Sequence, residues 1–216
     1  MTLQLLASAF WETLYMVGVS LVLSLAAGLP LGVLLVITAP GHLWPHARLN
    51  QVLGAIVNAT RSVPFIILMI AIIPFTRLMV GTSIGTSAAM VPLTVAAVPF
   101  VARLVETSLK EVDYGVIEAA QAMGASPLQI IYKVLLPEAL PSLISGSTIT
   151  AISLVGYSAM AGAVGGGGLG DLAVRYGYER FRTDIMVSTV VVLIAFVQAL
   201  QWVGDWLASR TDHRQS

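Results

Sequence analysis

The sequence predicts an all-α integral membrane protein with five transmembrane helices. Of its 216 residues, 57% are hydrophobic and only 10% are charged, whereas about a quarter of the residues in soluble domains are charged. The mean hydropathy is +0.88. Asp, Glu, Lys and Arg are absent from residues 13–47, 78–102, 139–170 and 185–204. Because a helix crosses the apolar core of a bilayer with about 20 residues, each of these stretches is long enough to span it.

Proline and glycine set the expected limits of the helices. The five spans are expected at residues 14–37, 55–73, 88–109, 137–163 and 185–207. Gly28, Pro30 and Gly32 fall inside the first span and predict a kink there. Four consecutive glycines, residues 165–168, should stop the fourth span, since each glycine costs about 1 kcal/mol within a helix. A charged and aromatic loop is expected at residues 169–184.

Composition excludes several classes of function. Eleven basic and eleven acidic residues give zero net charge, so there is no basic surface field for nucleic acid. Cysteine is absent, which removes disulfides and cysteine metal sites. No basic leader or cleavage site precedes the first apolar segment, so no removable signal peptide is expected. Most of the chain should contact membrane lipid, and residues 1–216 are expected to form a single domain.

Neither a cofactor nor a metal ion is expected, and the chain is not expected to be an enzyme. A nucleotide phosphate loop needs a lysine after a glycine, and the two lysines, Lys110 and Lys133, do not follow glycine. His42 and His46 have the spacing of two metal ligands on a helix, but no third ligand is near. Any energy for transport must therefore come from another polypeptide or from a gradient.

A polar interruption at residues 110–136 separates the third and fourth spans. Asp113 should cap a helix from residue 114 to residue 123, and Gly124 suits the left-handed position after it. Ser126 and Gln129 form a capping box that starts a second short helix, with Pro127 at its first position. Such a pair of helices can bind a soluble partner, or it can lie on the lipid as an ordinary amphipathic segment. Local chemistry does not decide between these two possibilities.

This interruption resembles the EAA loop of ABC-importer permeases. The residues that carry the resemblance are Glu118, Ala119, Ala120, Gly124, Leu136 and Pro137. The one departure is Val134, where the family usually has isoleucine. The resemblance implies a type I permease fold in a bacterial inner membrane and a coupling loop that binds a cytoplasmic ABC ATPase subunit, present in two copies. It also implies an external N-terminus and a cytoplasmic C-terminus, which the balance of loop charges does not establish.

The resemblance extends over nearly the whole chain to the permease of methionine importers. It rests on residues 61–68, 73–77, 80–85, 154–160 and 167–170. It implies a homodimer, an extracytoplasmic methionine-binding lipoprotein as partner, and D- or L-methionine as substrate. The alternatives are a permease for another amino acid in the same family, a gradient-driven carrier, and an intramembrane enzyme. The last two should place ionisable groups deep in the spans, but Arg61, Arg103 and Glu106 lie near span ends.

The fourth span carries the candidate translocation path. Ser147, Tyr157, Ser158 and Met160 give it a weakly polar lining, followed by glycine-rich backbone. A methionine substrate has a zwitterionic head and a soft thioether, which such a lining would tolerate without holding it tightly. Small polar residues also pack helix interfaces in membranes, and this reading stays open.

Overall fold

The computed structural model describes residues 2–211, and every regular element in that range is helical. The helices are α1 (Thr2–Ile37), α2 (Ala47–Arg61), α3 (Phe65–Ala71), α4 (Ile73–Val80), α5 (Thr86–Lys110), α6 (Tyr114–Ala122), α7 (Pro127–Ile130), α8 (Leu136–Glu138), α9 (Leu140–Gly162), α10 (Gly168–Leu172) and α11 (Thr183–Thr211). Two π-helical turns, Ile131–Leu135 and Ala173–Tyr178, interrupt this order. Helices α1, α5, α9 and α11 are each long and apolar enough to cross a membrane.

The predicted second span is a bent pair of helices rather than one straight helix. Helix α2 ends at Arg61, α3 begins at Phe65, and the two are bent by 101°. The cause is Pro64, which has no N–H to donate and disfavours a helical conformation at Val63. The described chain therefore has four spans, or five when the bent pair is counted as one.

Two other expected boundaries are wrong. The fourth span does not begin at Pro137, because a π-helical turn and the short α8 precede α9 at Leu140. The expected loop at residues 169–184 is largely helical, since α10 and the second π-helical turn occupy most of it. Leu169 and Leu172 are buried there against Ala9 of α1, and this apolar face stabilises the helical turns despite the charges around them.

Helix α1 packs very closely on α5, and two glycines allow it. A Cβ at Gly28 would lie 2.6 Å from the Val101 Cβ, and one at Gly32 would lie 2.6 Å from the Ala102 carbonyl oxygen. Helix α1 runs through Pro30 without a break. The glycines that predicted a kink therefore serve a close helix crossing, as small residues commonly do in membranes.

The bundle has two chemically distinct ends. At one end, hereafter the loop end, Val36 and Ile37 of α1 share a buried cluster with Ile117 and Ala120 of α6. At the opposite end, hereafter the glycine end, α10 packs on the first turns of α1. Between them lies a buried cluster that includes Met16, Phe65, Leu93, Leu154 and Phe196. Helices α1, α5 and α9 each run from one end to the other.

Gly32→Ala should destabilise the protein by about 1–3 kcal/mol, because the added methyl group overpacks the crossing with α5. The measurement is the thermal unfolding midpoint of the detergent-solubilised protein. Gly18→Ala is the matched control in the same helix, since nothing lies within 4 Å of a Cβ at that position. Equal midpoints for the two variants would show that the crossing is not tightly packed.

Candidate functional site: the loop between α5 and α9

Both ends of α6 are formed as the sequence predicts. Oδ1 of Asp113 accepts a hydrogen bond from the Gly115 N–H at 2.7 Å and caps the first turn. Gly124 has a φ of +82°, a left-handed conformation in which a residue with a side chain is strained. The Ala125 N–H donates to the Ala120 carbonyl at 3.0 Å, as in a Schellman motif. These bonds fix the direction in which the chain leaves α6.

The predicted capping box of α7 is also present. The Gln129 N–H donates to the Ser126 Oγ at 3.4 Å, and the Ser126 N–H donates to the Gln129 Oε1 at 2.8 Å. Pro127 occupies the first turn, where its missing N–H costs nothing. The two short helices are thus rigidly connected, with a turn of fixed geometry between them.

Helix α6 buries one side and exposes the other. Ile117 and Ala120 are buried in the cluster at the loop end. Glu118 and Ala119 are exposed beside them. Of the three consecutive motif residues 118–120, then, one holds the helix to the bundle and two remain available to a partner.

Sequence reasoning did not identify three exposed apolar residues in this loop. Met123, Leu128 and Tyr132 are 82%, 59% and 69% exposed. They lie outside the apolar spans, in the segment that the sequence predicts to be outside the bilayer. Large apolar side chains that remain in water commonly mark a protein interaction surface. Their presence in a polar segment was the signal that could have identified them.

The chain returns to the membrane through an underwound, π-helical segment. Residues Ile131–Leu135 form a π-helical turn, in which the Leu136 N–H donates to the Ile131 carbonyl. Pro137 has no N–H for the usual bond to the carbonyl four residues earlier. Leu135 is fully buried, Leu136 partly buried and Pro137 exposed. The end of the motif thus shapes the connection between the loop and α9.

A second loop, residues 38–46, braces the start of α6. The His42 ring lies edge-on to the Tyr114 ring at 6.5 Å, and the Tyr114 hydroxyl donates to the Gly41 carbonyl at 3.4 Å. The His42 Nδ1 is buried without a hydrogen-bond partner. Burial, followed by the positive charge of Lys110, lowers the pKa of His42 below its ordinary value.

The four candidate path residues of α9 differ in their surroundings within one protomer. The hydroxyls of Ser147 and Ser158 donate to carbonyls three or four residues earlier in the same helix, both at 2.7 Å. Ser158 is only 2% exposed. The Tyr157 ring stacks on Phe65 of α3 at 4.7 Å, whereas Met160 is 49% exposed. A single protomer therefore presents Met160, but not Ser158, on its surface.

Two of the ionisable residues near the ends of the spans, Arg103 and Glu106, form an ion pair. Glu106 is buried and accepts hydrogen bonds from Arg103 and from Lys110, the latter at 2.7 Å. Arg103 also donates to the Gly54 carbonyl and to the Asn58 Oδ1 of α2. This network joins α2 to α5. Within residues 2–211, no group of three acidic or histidine side chains is placed to hold a metal ion.

Comparison with known proteins shows extensive similarity. Residues 28–215 match the profile of a family described as "Binding-protein-dependent transport system inner membrane component". A Vibrio cholerae protein named "Probable D-methionine transport system permease protein MetI" is 59% identical over 210 residues, covering 97% of this chain and 93% of that protein. The Bacillus subtilis "Methionine import system permease protein MetP" is 47% identical over 207 residues, covering 96% and 93%.

Solved structures show the same fold. A chain from "Inward facing conformations of the MetNI methionine ABC transporter" superimposes with a TM-score of 0.96 at 52% identity, covering 97% of each chain. A chain from "Crystal structure of an amino acid ABC transporter with histidines" has a TM-score of 0.78 at 16% identity, covering 96% of this chain and 94% of that one. The second likeness concerns the fold alone.

Acidification should destabilise the contact between His42 and α6. Because the folded protein binds this proton less tightly than the unfolded chain does, stability should fall as the pH drops below the ordinary histidine pKa of 6.5 towards the lower folded value. The measurement is the difference in unfolding midpoint between about pH 7.5 and about pH 5.5, on either side of the histidine pKa. That difference should be smaller in His42→Gln. The control is His46→Gln on the exposed side of the same loop; an equal effect of both variants would contradict the assignment.

Proposed function

Because this chain belongs to the family of binding-protein-dependent transport system inner membrane components, we propose that it is the permease subunit of an ABC importer for D- or L-methionine. Residues 1–216 form one permease domain, and a separate ABC ATPase subunit hydrolyses the ATP. Support comes from relatives that carry methionine-transport names over almost their full lengths, and from the match to a methionine transporter of known structure.

The loop between α5 and α9 carries this proposal. Its two capped helices are held at a fixed angle by the Gly124 turn, and their buried side packs against the ends of α1 and α5. A partner that moves such a rigid projection also moves the spans to which it is packed. The geometry supports residues 110–136 as the segment that receives the force of ATP hydrolysis.

The motif residues divide this task. Exposed Glu118 and Ala119 face the groove of the ATPase subunit, where the small side chain of Ala119 lets the partner approach closely. Buried Ala120 packs against the bundle. Gly124 sets the direction of the projection, and Leu136 with Pro137 passes the motion to α9.

The loop end faces the cytoplasm in this proposal, because ATP is found there. The last turn of α11 also lies at the loop end, where Arg210 and Thr211 border a cavity of about 440 Å³ together with Glu111 and Pro137. The first turns of α1 lie at the glycine end. The N-terminus is then outside and the C-terminus cytoplasmic.

Two copies of the chain build the translocation path, with two copies of the ATPase subunit below them. The exposed face of α9 supports this arrangement: it carries Ser145, Ile149, Gly156 and Met160, spaced four or seven residues apart along one side of the helix. A two-fold axis along this face would bring the two Met160 side chains together. Tyr157 supports the path from behind through its stack on Phe65, and Ser147 and Ser158 shape the helix.

An extracytoplasmic methionine-binding lipoprotein delivers the substrate at the glycine end. This end exposes Phe181 by 86% and Tyr178 by 72%. Phe181 has a φ of +54°, which places its side chain at a strained tip. Aromatic residues held at such positions are effective contacts for a protein partner.

The proposal predicts ATP-dependent methionine uptake by proteoliposomes that contain this chain, the ATPase subunit and the binding protein. The chain alone should hydrolyse no ATP. Gly124→Val should insert normally but impair transport, because a side chain in the left-handed turn costs about 1–2 kcal/mol and redirects α6. The measurement is uptake of labelled D- and L-methionine, with ATPase activity recorded in parallel.

Gly18→Val is the control for added bulk, since nothing lies within 4 Å of a Cβ there and the residue lies outside both the loop and the exposed face of α9, so uptake should stay normal. Normal uptake by Gly124→Val at normal abundance would show that coupling does not depend on the left-handed turn at Gly124. Uptake of another solute in place of methionine would contradict the assignment of methionine as the substrate, but it would not contradict the assignment of the chain as an ABC-importer permease.

Cysteine substitution tests the path directly, because the native chain has no cysteine. Met160→Cys should react with a small polar thiol reagent, at a rate that changes with the ATP state and falls during methionine transport. Ser158→Cys is the buried comparison and should react far more slowly. An inert Met160→Cys that still transports methionine would move the path to other helices.

A further inference from the structure

Glu12 is the one charged side chain in α1, and its partner lies far away in the sequence. Its Oε2 accepts a hydrogen bond from the Gly168 N–H at 2.7 Å. The two residues are 156 positions apart. An otherwise uncharged helix thus uses its single carboxylate to hold the glycine-rich backbone between α9 and α10.

The neighbouring residue makes a second bond of the same kind. The Thr13 Oγ1 accepts from the Leu169 N–H at 2.9 Å, and this hydroxyl is buried. A Cβ at Gly168 would lie 2.6 Å from that oxygen, and the φ of Gly168 is +77°. Two adjacent side chains of α1 therefore accept hydrogen bonds from two successive backbone N–H groups. The close approach of the backbone to Thr13 requires glycine at position 168.

The turn before α5 contacts the same glycine-rich segment. The Gly85 N–H donates to the Gly165 carbonyl at 2.8 Å. A Cβ at Gly167 would be 3.0 Å from the Glu12 Oε2 and 3.3 Å from the Thr86 Oγ1. The ends of α1, α5 and α9 meet here; we call Glu12, Thr13, Gly85 and residues 165–169 the glycine junction.

Helix α1 connects this junction to the loop that binds the ATPase subunit. Its last residues, Val36 and Ile37, pack in one buried cluster with Ile117 and Ala120 of α6. Glu12 and Ile37 are separated by 25 positions of continuous helix, which corresponds to about 37 Å. A displacement of α6 is thus passed along a single rigid element to the opposite surface.

We infer that Glu12 is a positioning residue for transport, which fastens the glycine segment and α10 to α1 so that they move with it. The inference rests on the proposed function and deepens it. Without the carboxylate, α1 would still follow the ATPase subunit, but α10 would follow α1 less closely, held by the Thr13 bond and by the packing of Leu169 and Leu172 on Ala9. ATP hydrolysis would then be less tightly coupled to transport.

The test uses the assembled complex of permease, ATPase subunit and binding protein in proteoliposomes. Two quantities are measured: the methionine transported per ATP hydrolysed, and the mobility of a nitroxide label on Val164→Cys, a half-exposed position beside the glycine run. The variants are Glu12→Ala, Glu12→Gln, which keeps an acceptor oxygen, and Thr13→Val, which removes the second acceptor without changing shape. Gln4→Ala, on an exposed side of the same helix, is the control.

Glu12→Ala should lower the transport ratio at least about fivefold, the order expected for losing a hydrogen bond to a charged acceptor, and should mobilise the label. Thr13→Val should act in the same direction to a smaller extent. Glu12→Gln should lower the ratio less than Glu12→Ala does, because it keeps a neutral acceptor for the Gly168 N–H, and it should leave the label immobile; the control should keep the native ratio and label. A purely structural role would lower abundance without changing the ratio.

The inference is overturned if the label in Glu12→Ala is as immobile as in the native protein, or if Glu12→Gln is as impaired as Glu12→Ala. It is also overturned if the ratio is unchanged while the label becomes mobile. Failure of the proposed function gives a different result. In that case the native complex takes up no methionine, yet the label still responds to Glu12→Ala and not to Glu12→Gln.

Discussion

The close crossing of α1 and α5 is the constraint on which the rest of the structure depends. In lipid, apolar side chains gain little by leaving one apolar environment for another, so helices associate mainly through close packing and hydrogen bonds. Gly28 and Gly32 let the two backbones approach to a distance that a methyl group would prevent. Because both helices run the full length of the bundle, this crossing places the loop end and the glycine end in a fixed relation.

Features that depend on local chemistry could be predicted from the sequence. Asp113, Gly124 and the Ser126–Gln129 box act within a few residues of themselves, and each is formed as expected. The approximate positions of the long apolar helices also followed from the uncharged stretches. The break at Pro64 was missed because a count of apolar residues does not register a missing backbone donor.

Features that depend on distant partners could not be predicted. Nothing near Glu12 indicates that its carboxylate meets Gly168, and nothing near Gly28 indicates the close crossing with α5. The polar residues of α9 show the same limit, since Ser158 and Met160 are two positions apart yet one is buried and the other exposed. Their environments depend on which face of α9 meets the other helices, and this information is absent from the segment itself.

The bend between α2 and α3 has a consequence for how the protomer is surrounded. Residues 62–64 connect two apolar helices at 101° and are all exposed in a single chain. Hydrocarbon offers no hydrogen bonds, so irregular backbone at membrane depth is stable only where it borders protein or water. The corner at Ser62, Val63 and Pro64 therefore needs protein or water beside it wherever it lies within the hydrocarbon, and its exposure in a single chain sets that requirement on what surrounds the protomer.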